Sequence, residues 1–234
     1  MKKILLATTI LAMGAVSASA ADLGARPYTK APVLAPVFSW TGFYIGADVG
    51  YGFGTSKGQS SNAFGAFPLP YSYDPTGAMG GGFIGANYQF NQFVIGIEAD
   101  WQAADLNGDS GSIGGGPFTL STTAKDYGSV RGRLGIAFDR VLLFGTAGWA
   151  WGSFSTSYAF TGFPPYLVNR VDSSNGWAAG GGLEYAFTNN VLARIEYRYT
   201  DLGSTSFVSF PTNTAEAGNR VTINDVRVGI AYKF

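Results

Sequence analysis

The chain has 234 residues, of which 13% are charged and 15% aromatic, with 34 glycines and no Cys or His. An ordinary soluble domain carries about 25% charged residues. The composition excludes a disulfide framework, a Cys zinc site and any imidazole general base or haem ligand. Lys and Arg (15) balance Asp and Glu (15), so no basic field invites nucleic acid.

Residues 1–20 read as a secretory signal. Lys2 and Lys3 form a positive start, Ile4 to Val16 an apolar stretch too short for a stop-transfer helix, and Ala18-Ser19-Ala20 a small-residue cleavage site. Sec-dependent export with cleavage after Ala20 is expected. No later run of about 18 apolar residues predicts a transmembrane helix. Residues 21–39 contain Pro27, Pro32 and Pro36, which oppose helix and central strand, so an extended periplasmic lead is expected. Residues 40–234 then read as one domain.

From Trp40 onward the pattern has period two, which sends alternate side chains to opposite faces of a strand. Phe43, Ile45, Ala47, Val49, Tyr51 and Phe53 form one apolar set; their alternates are small or polar apart from Tyr44. The same alternation holds for Ile84 to Phe90, Phe93 to Trp101, Val130 to Phe138, Trp177 to Phe187, Val191 to Tyr199 and Val226 to Phe234. Segment 141–154 is also strand-like, but Leu143, Ala147, Trp149 and Trp151 compete with Leu142, Phe144 and Ala150 for the apolar face. Eight strands result. Asn91-Gln92, Asp139-Arg140 and Thr188-Asn189-Asn190 read as tight turns, and 54–76, 104–122, 155–174 and 202–220 as long loops. Short turns on one side and long loops on the other are the habit of outer-membrane barrels.

Alternation alone cannot say which face meets water. The strand charges nearly all share one face, with acids and bases close to balance: Asp48, Glu98, Asp100, Arg131, Arg133, Glu184, Arg194, Glu196, Arg198, Asp225 and Arg227, with Lys233 near the end. The glycines share that face, as a small barrel interior requires. Aromatics gather near strand ends; Trp40, Tyr51, Tyr88, Trp101, Trp177, Tyr185, Tyr197, Tyr199 and Tyr232 are expected to form girdles at the membrane–water boundary. Lipid cannot satisfy backbone polar groups, so the sheet must close. The expected fold class is therefore all-β: an eight-stranded antiparallel up-and-down transmembrane β-barrel, with short periplasmic turns and long extracellular loops. Its inward charges must pair, because isolated buried ions are far costlier. On this phase Ile195 faces lipid, and Leu192, inward near a turn, is expected to tolerate an Arg better.

Catalytic chemistry finds little footing. Glu98 and Asp100 lie two apart on one strand face, but a filled barrel offers no cleft between two acids, and neighbouring Arg residues keep them ionised. GGGFIG at 80–85 has no following Lys-Ser/Thr and no helix pattern, so it is no phosphate loop. Asp105 and Asp109 read as solvated loop acids. No enzyme activity, cofactor or metal site is expected.

WTGFYIGADVGYGFG from Trp40, GSVRGRLGIAFDRVLLFGTAGWAWG from Gly128, ARIEYRYTDLG from Ala193 and the ending VRVGIAYKF resemble the outer-membrane immunogenic protein family of Gram-negative bacteria, a group of small OmpA-like, porin-type barrels. The resemblance covers essentially the whole mature chain and implies a surface-exposed, often antigenic barrel in the cell outer membrane. Tyr232 and Phe234 resemble the C-terminal insertion signal read by the barrel-assembly machinery. Outer-membrane lipid and lipopolysaccharide, that machinery and periplasmic chaperones are the expected partners; no nucleic acid is expected, and a homo-oligomer stays open. Three roles remain: a structural and surface-interaction barrel whose lumen is filled by paired charges, a narrow porin for small solutes, or loop-mediated binding of a haem-like or host ligand. The loop aromatics Phe64, Phe67, Tyr71, Tyr73, Tyr158, Phe160, Phe163 and Tyr166 allow the third.

Overall fold

Alternating side chains build nine strands in the computed structural model, which describes residues 38–61, 69–112, 118–162, 165–209 and 214–234. The strands are β1 (Gly42–Ser61), β2 (Leu69–Tyr73), β3 (Thr76–Phe90), β4 (Phe93–Ser112), β5 (Phe118–Phe138), β6 (Val141–Phe160), β7 (Tyr166–Ala186), β8 (Val191–Ser209) and β9 (Thr214–Lys233). The expected signal 1–20 and most of the lead, 21–37, lie outside the described residues.

Every neighbouring pair is antiparallel, and β1 pairs with β9, so the sheet closes on itself. Nine strands occupy eight lanes. β3 pairs with β1 from Gly42↔Asn87 to Phe53↔Thr76, and β2 takes over the same lane from Ser56↔Tyr73 to Ser60↔Leu69. The break falls at Asp74-Pro75, where Pro75 has no N–H to donate. The Pro75 carbonyl still accepts from the Gly54 N–H at 2.7 Å. The fold is thus a closed eight-stranded antiparallel barrel, as the alternation predicts.

The tight turns form at the expected places. Asn91 and Asp139 adopt positive φ (53° and 51°), a conformation their short polar side chains tolerate. In the third turn Thr188 Oγ1 accepts from the N–H groups of Asn190 (3.2 Å) and Val191 (2.9 Å).

The long loops differ from expectation. Much of 54–76, 104–122, 155–174 and 202–220 is strand, and β4, β5, β6 and β7 run 20 or 21 residues. About ten residues span the hydrocarbon, so the wall continues well beyond it. There both faces are rich in Ser, Thr, Asn and Gly, which erases the apolar contrast that marks a strand in sequence. Bulges interrupt the register in this region, at Ala103/Leu106, Ala124/Asp126 and Asp201/Ser204 among others. Of the loop aromatics, Tyr71 and Tyr73 are buried and stacked 6.1 Å apart. Phe64, Phe67 and Phe163 lie outside the described residues, as do the side chains of Tyr158, Phe160 and Tyr166.

The two faces follow the predicted phase. Phe43, Ile45, Val49, Ile84, Ile95, Ile97, Leu134, Leu183, Ile195, Val228 and Ile230 stand exposed on the outside, while the charged set is buried within. The ambiguous strand resolves: Leu142, Phe144 and Ala150 point inward, and Leu143 and Trp149 outward.

Candidate functional site

The site is the lumen. At its middle lies a buried ion network contributed by β4, β5, β7, β8 and β9. Glu98 accepts from Arg131 Nη2 (2.8 Å), Arg194 Nη1 (2.8 Å) and Arg133 Nη1 (3.3 Å). Glu196 takes hydrogen bonds from Arg131 and Arg194 and lies 3.5 Å from Arg198 Nε. Asp100 faces Arg198 (2.7 Å), Arg227 (3.3 Å) and Arg131 (3.6 Å), and accepts from Ser129 Oγ. Glu184 meets Arg133 at 2.7 Å, and Asp225 meets Arg227. The guanidinium forks suit this sharing, since each presents several donors in fixed geometry.

These contacts cross the barrel. Glu98 on β4 and Arg194 on β8 are far apart around the wall, yet Arg194 donates to both its oxygens, at 2.8 and 3.0 Å. Glycines on the inner face make room. A Cβ on Gly85 would lie 2.3 Å from Tyr44 Oη, and one on Gly46 would lie 2.3 Å from the Phe83 ring. Side chains from the opposite pattern therefore lie flat over bare backbone.

Apolar layers close the network above and below. On the turn side, Phe38, Trp40, Tyr44, Phe83, Val94, Leu142, Phe144 and Leu192 pack together. Arg194 sits 4.0 Å over the Phe83 ring and Arg133 4.0 Å over Phe144, so the plug also receives charge through cation–π contacts. On the other side, Met79, Leu106, Tyr127, Ala150, Phe154, Leu202 and Ile223 form a second cluster. Tyr127 joins this cluster to the ion network, donating to Asp225 at 3.2 Å and accepting from Arg227 Nη2 at 3.0 Å.

Two expected placements change. Trp40 is not part of the outer girdle: it is 0% exposed, beneath the barrel. It precedes β1, so strand alternation does not govern it, and its indole N–H donates to the Asp139 carbonyl at 3.1 Å. A buried indole with its N–H satisfied loses nothing by leaving the interface. Asp48 does lie inside, but outside the ion network: neither carboxyl oxygen has a hydrogen-bond partner among the described residues. Lys233 sits at the turn-side mouth, donating to the Thr41 carbonyl at 3.3 Å.

The remaining girdle candidates face outward. Tyr88, Tyr185 and Tyr232 are exposed toward the turns, Tyr51, Trp101 and Trp177 toward the far edge, and Tyr197 and Tyr199 near that edge, Tyr199 half-covered by Trp177. Tyr232 and Phe234 are both exposed and pack edge to face at 5.1 Å. Phe234 N–H donates to the Phe43 carbonyl at 2.9 Å. Sequence reasoning missed Tyr127, Ser129 and Thr146 as network donors and acceptors. Tyr44 was signalled as the one aromatic on the wrong face of its strand; it donates to Glu98 at 2.8 Å and accepts from Arg133 at 3.1 Å.

Known proteins match this architecture. A family described as "Outer membrane protein beta-barrel domain" matches residues 8–234. The 31 kDa outer-membrane immunogenic protein of Brucella melitensis is 36% identical over 100% of both chains. The 25 kDa outer-membrane immunogenic protein of Brucella abortus is 31% identical over 99% of this chain and 97% of its own. The 22 kDa outer membrane protein of Rhizobium leguminosarum is 33% identical over 88% and 82%. Among solved structures, the outer membrane protease OmpT of Escherichia coli superposes with a TM-score of 0.54 at 12% identity, covering 86% of this chain and 99% of its own, a likeness of fold. Strand pattern, closed sheet, inward charges and full-length relatives agree, and this chain belongs to the outer membrane protein β-barrel family, as a protein of the outer membrane akin to the outer-membrane immunogenic proteins.

Proposed function

We propose that the protein is a non-catalytic structural and surface-interaction barrel: it reinforces the outer membrane, presents its outer rim, and conducts no solute. One observation carries this reading. Arg131, Arg133, Arg194, Arg198 and Arg227 are all bridged to Glu98, Asp100, Glu184, Glu196 or Asp225 inside the lumen, several of the bridges running from one wall to the other. A selective pore keeps rings of one sign and water between them; here both signs are consumed by each other, between two apolar layers. The absence of His supports the non-catalytic part, since no imidazole is there to activate a hydroxyl or water.

The exposed Tyr232–Phe234 pair supports recognition by barrel-assembly machinery through transient strand addition, in which an aromatic anchors a free edge. Planar-bilayer recording of refolded protein tests the sealed lumen. Flat current traces at physiological salt are expected; steady single-molecule steps would demote this reading in favour of a narrow porin.

A further inference from the structure

Beyond the far aromatic edge, the outer face at the β8–β9–β1 seam changes chemistry in two tiers. The first is neutral and polar: Thr55 on β1 and Thr222 and Asn224 on β9, with Tyr197 Oη donating to Asn224 Oδ1 at 2.6 Å. The second is cationic. Lys57 and Arg220 are both exposed and are direct partners across the seam. Such partners hold their Cβ atoms about 5 Å apart, and like charges in this position destabilise a sheet.

The pair is only half compensated. Arg220 Nε donates to Asp201 Oδ1 at 3.4 Å and its Nη2 pairs with Asp201 Oδ2, which holds the Asp201 carboxyl below the usual carboxylate range. Among the described residues, the Nη1 edge of Arg220 takes no partner. Lys57 makes no ion pair or hydrogen bond among the described residues. Asp74, on the neighbouring lane, accepts instead from Thr55 Oγ1 at 3.2 Å. A bulge between Lys57 and Gln59 locally re-aims the strand. Lys57 stands four residues past Phe53, about 10 Å above the aromatic edge for a strand tilted about 40°. That height is the headgroup layer of the outer leaflet.

We propose that Lys57 and the open edge of Arg220 clamp a phosphate on the saccharide headgroup of lipopolysaccharide, with Thr55, Thr222 and Asn224 facing its hydroxyl and amide groups. A phosphate satisfies both cations through charge-assisted hydrogen bonds and turns a repulsive pair into a bridged one. The inference deepens the surface-interaction reading and rests on placement in the outer membrane, not on a sealed lumen, so the bilayer recording leaves it intact.

The test compares full-length refolded protein in phosphatidylcholine vesicles alone, with lipopolysaccharide, with the same lipid dephosphorylated, and with phosphatidylglycerol of matched charge. The readout is the temperature at which the folded band is lost on a gel. Wild type is expected to gain several degrees with lipopolysaccharide only. The double variant Lys57→Gln/Arg220→Gln should lose the gain, and Lys125→Gln, an exposed cation on another wall, should keep it. Lys57→Gln alone leaves the Asp201 pair intact, which guards against a folding defect, and should lose at least half of the gain. A gain that the double variant keeps or of which Lys57→Gln keeps more than half, that persists with dephosphorylated lipid, that phosphatidylglycerol reproduces, or that is missing in wild type would overturn the proposal.

Discussion

Glu98 is the most widely shared carboxylate in the lumen, receiving hydrogen bonds from Arg131, Arg133, Arg194 and Tyr44. Removing its charge takes a carboxylate from three guanidinium groups at once, leaving Arg131 with Glu196, Arg133 with Glu184 and Arg194 with Glu196. Breaking one partner of a buried pair costs about 3–5 kcal/mol, because the other ion stays buried without compensation. Glu98→Gln is therefore expected to cost about that much, and Asp48→Asn, which breaks no hydrogen bond, under about 1 kcal/mol. Urea unfolding in vesicles checks the ranking, and equal losses would remove the central role given to Glu98. The charged set itself was legible in sequence because lipid tolerates no ion on the outer face, so every charge in the membrane-spanning part of a strand had to turn inward. The pairing was not legible: register and side-chain reach across a lumen leave no local pattern. Asp48 shows the gap, sharing the face of the others without a hydrogen bond to their guanidinium groups among the described residues.

At the scale of single strands, β8 shows how far alternation carries and where it stops. Ile195 is 48% exposed on the outer face, and Leu192 only 2% exposed within the turn-side plug. Ile195→Arg should cost about 2–4 kcal/mol near the membrane midplane. The expectation that Leu192→Arg is better tolerated than Ile195→Arg is revised: the position is inward, but packed against apolar neighbours rather than facing water or acids, so an unpaired guanidinium is buried there too. Both variants should fail a folding gel-shift assay. Alternation reports which face a residue takes, but not whether that face meets an ion, a ring or solvent. The distal halves of the strands were illegible for a related reason: above the membrane the outer face turns polar while only scattered apolar residues such as Leu106 and Leu202 point inward, and the two-residue contrast fades. One ion pair there sets a pH dependence. Asp201 titrates below its usual range because Arg220 donates to it. A depressed carboxyl adds stability that is full above its unfolded value and is lost as pH falls through the folded one. Wild type should thus exceed Asp201→Asn in melting temperature at pH 7, with the difference closing toward pH 3.

For the whole molecule, the lumen ties distant parts of the chain together. Neither side of the wall completes its contacts by itself: Arg131 and Glu98, paired with each other on β5 and β4, also take Glu196 and Arg194 from β8 as partners. A hairpin entering the bilayer by itself would keep only its own pairs, such as Glu98–Arg131 or Asp225–Arg227, and would bury the remaining charge without its contacts to the opposite wall, at a cost of several kcal/mol for each ion left short of partners. Insertion one hairpin at a time is thus penalised at every step but the last. A route that gathers the strands first and lets the β1–β9 seam zip shut as the opposing guanidinium and carboxylate groups meet avoids that cost, since crossing the lipid and sealing the cylinder then become a single event.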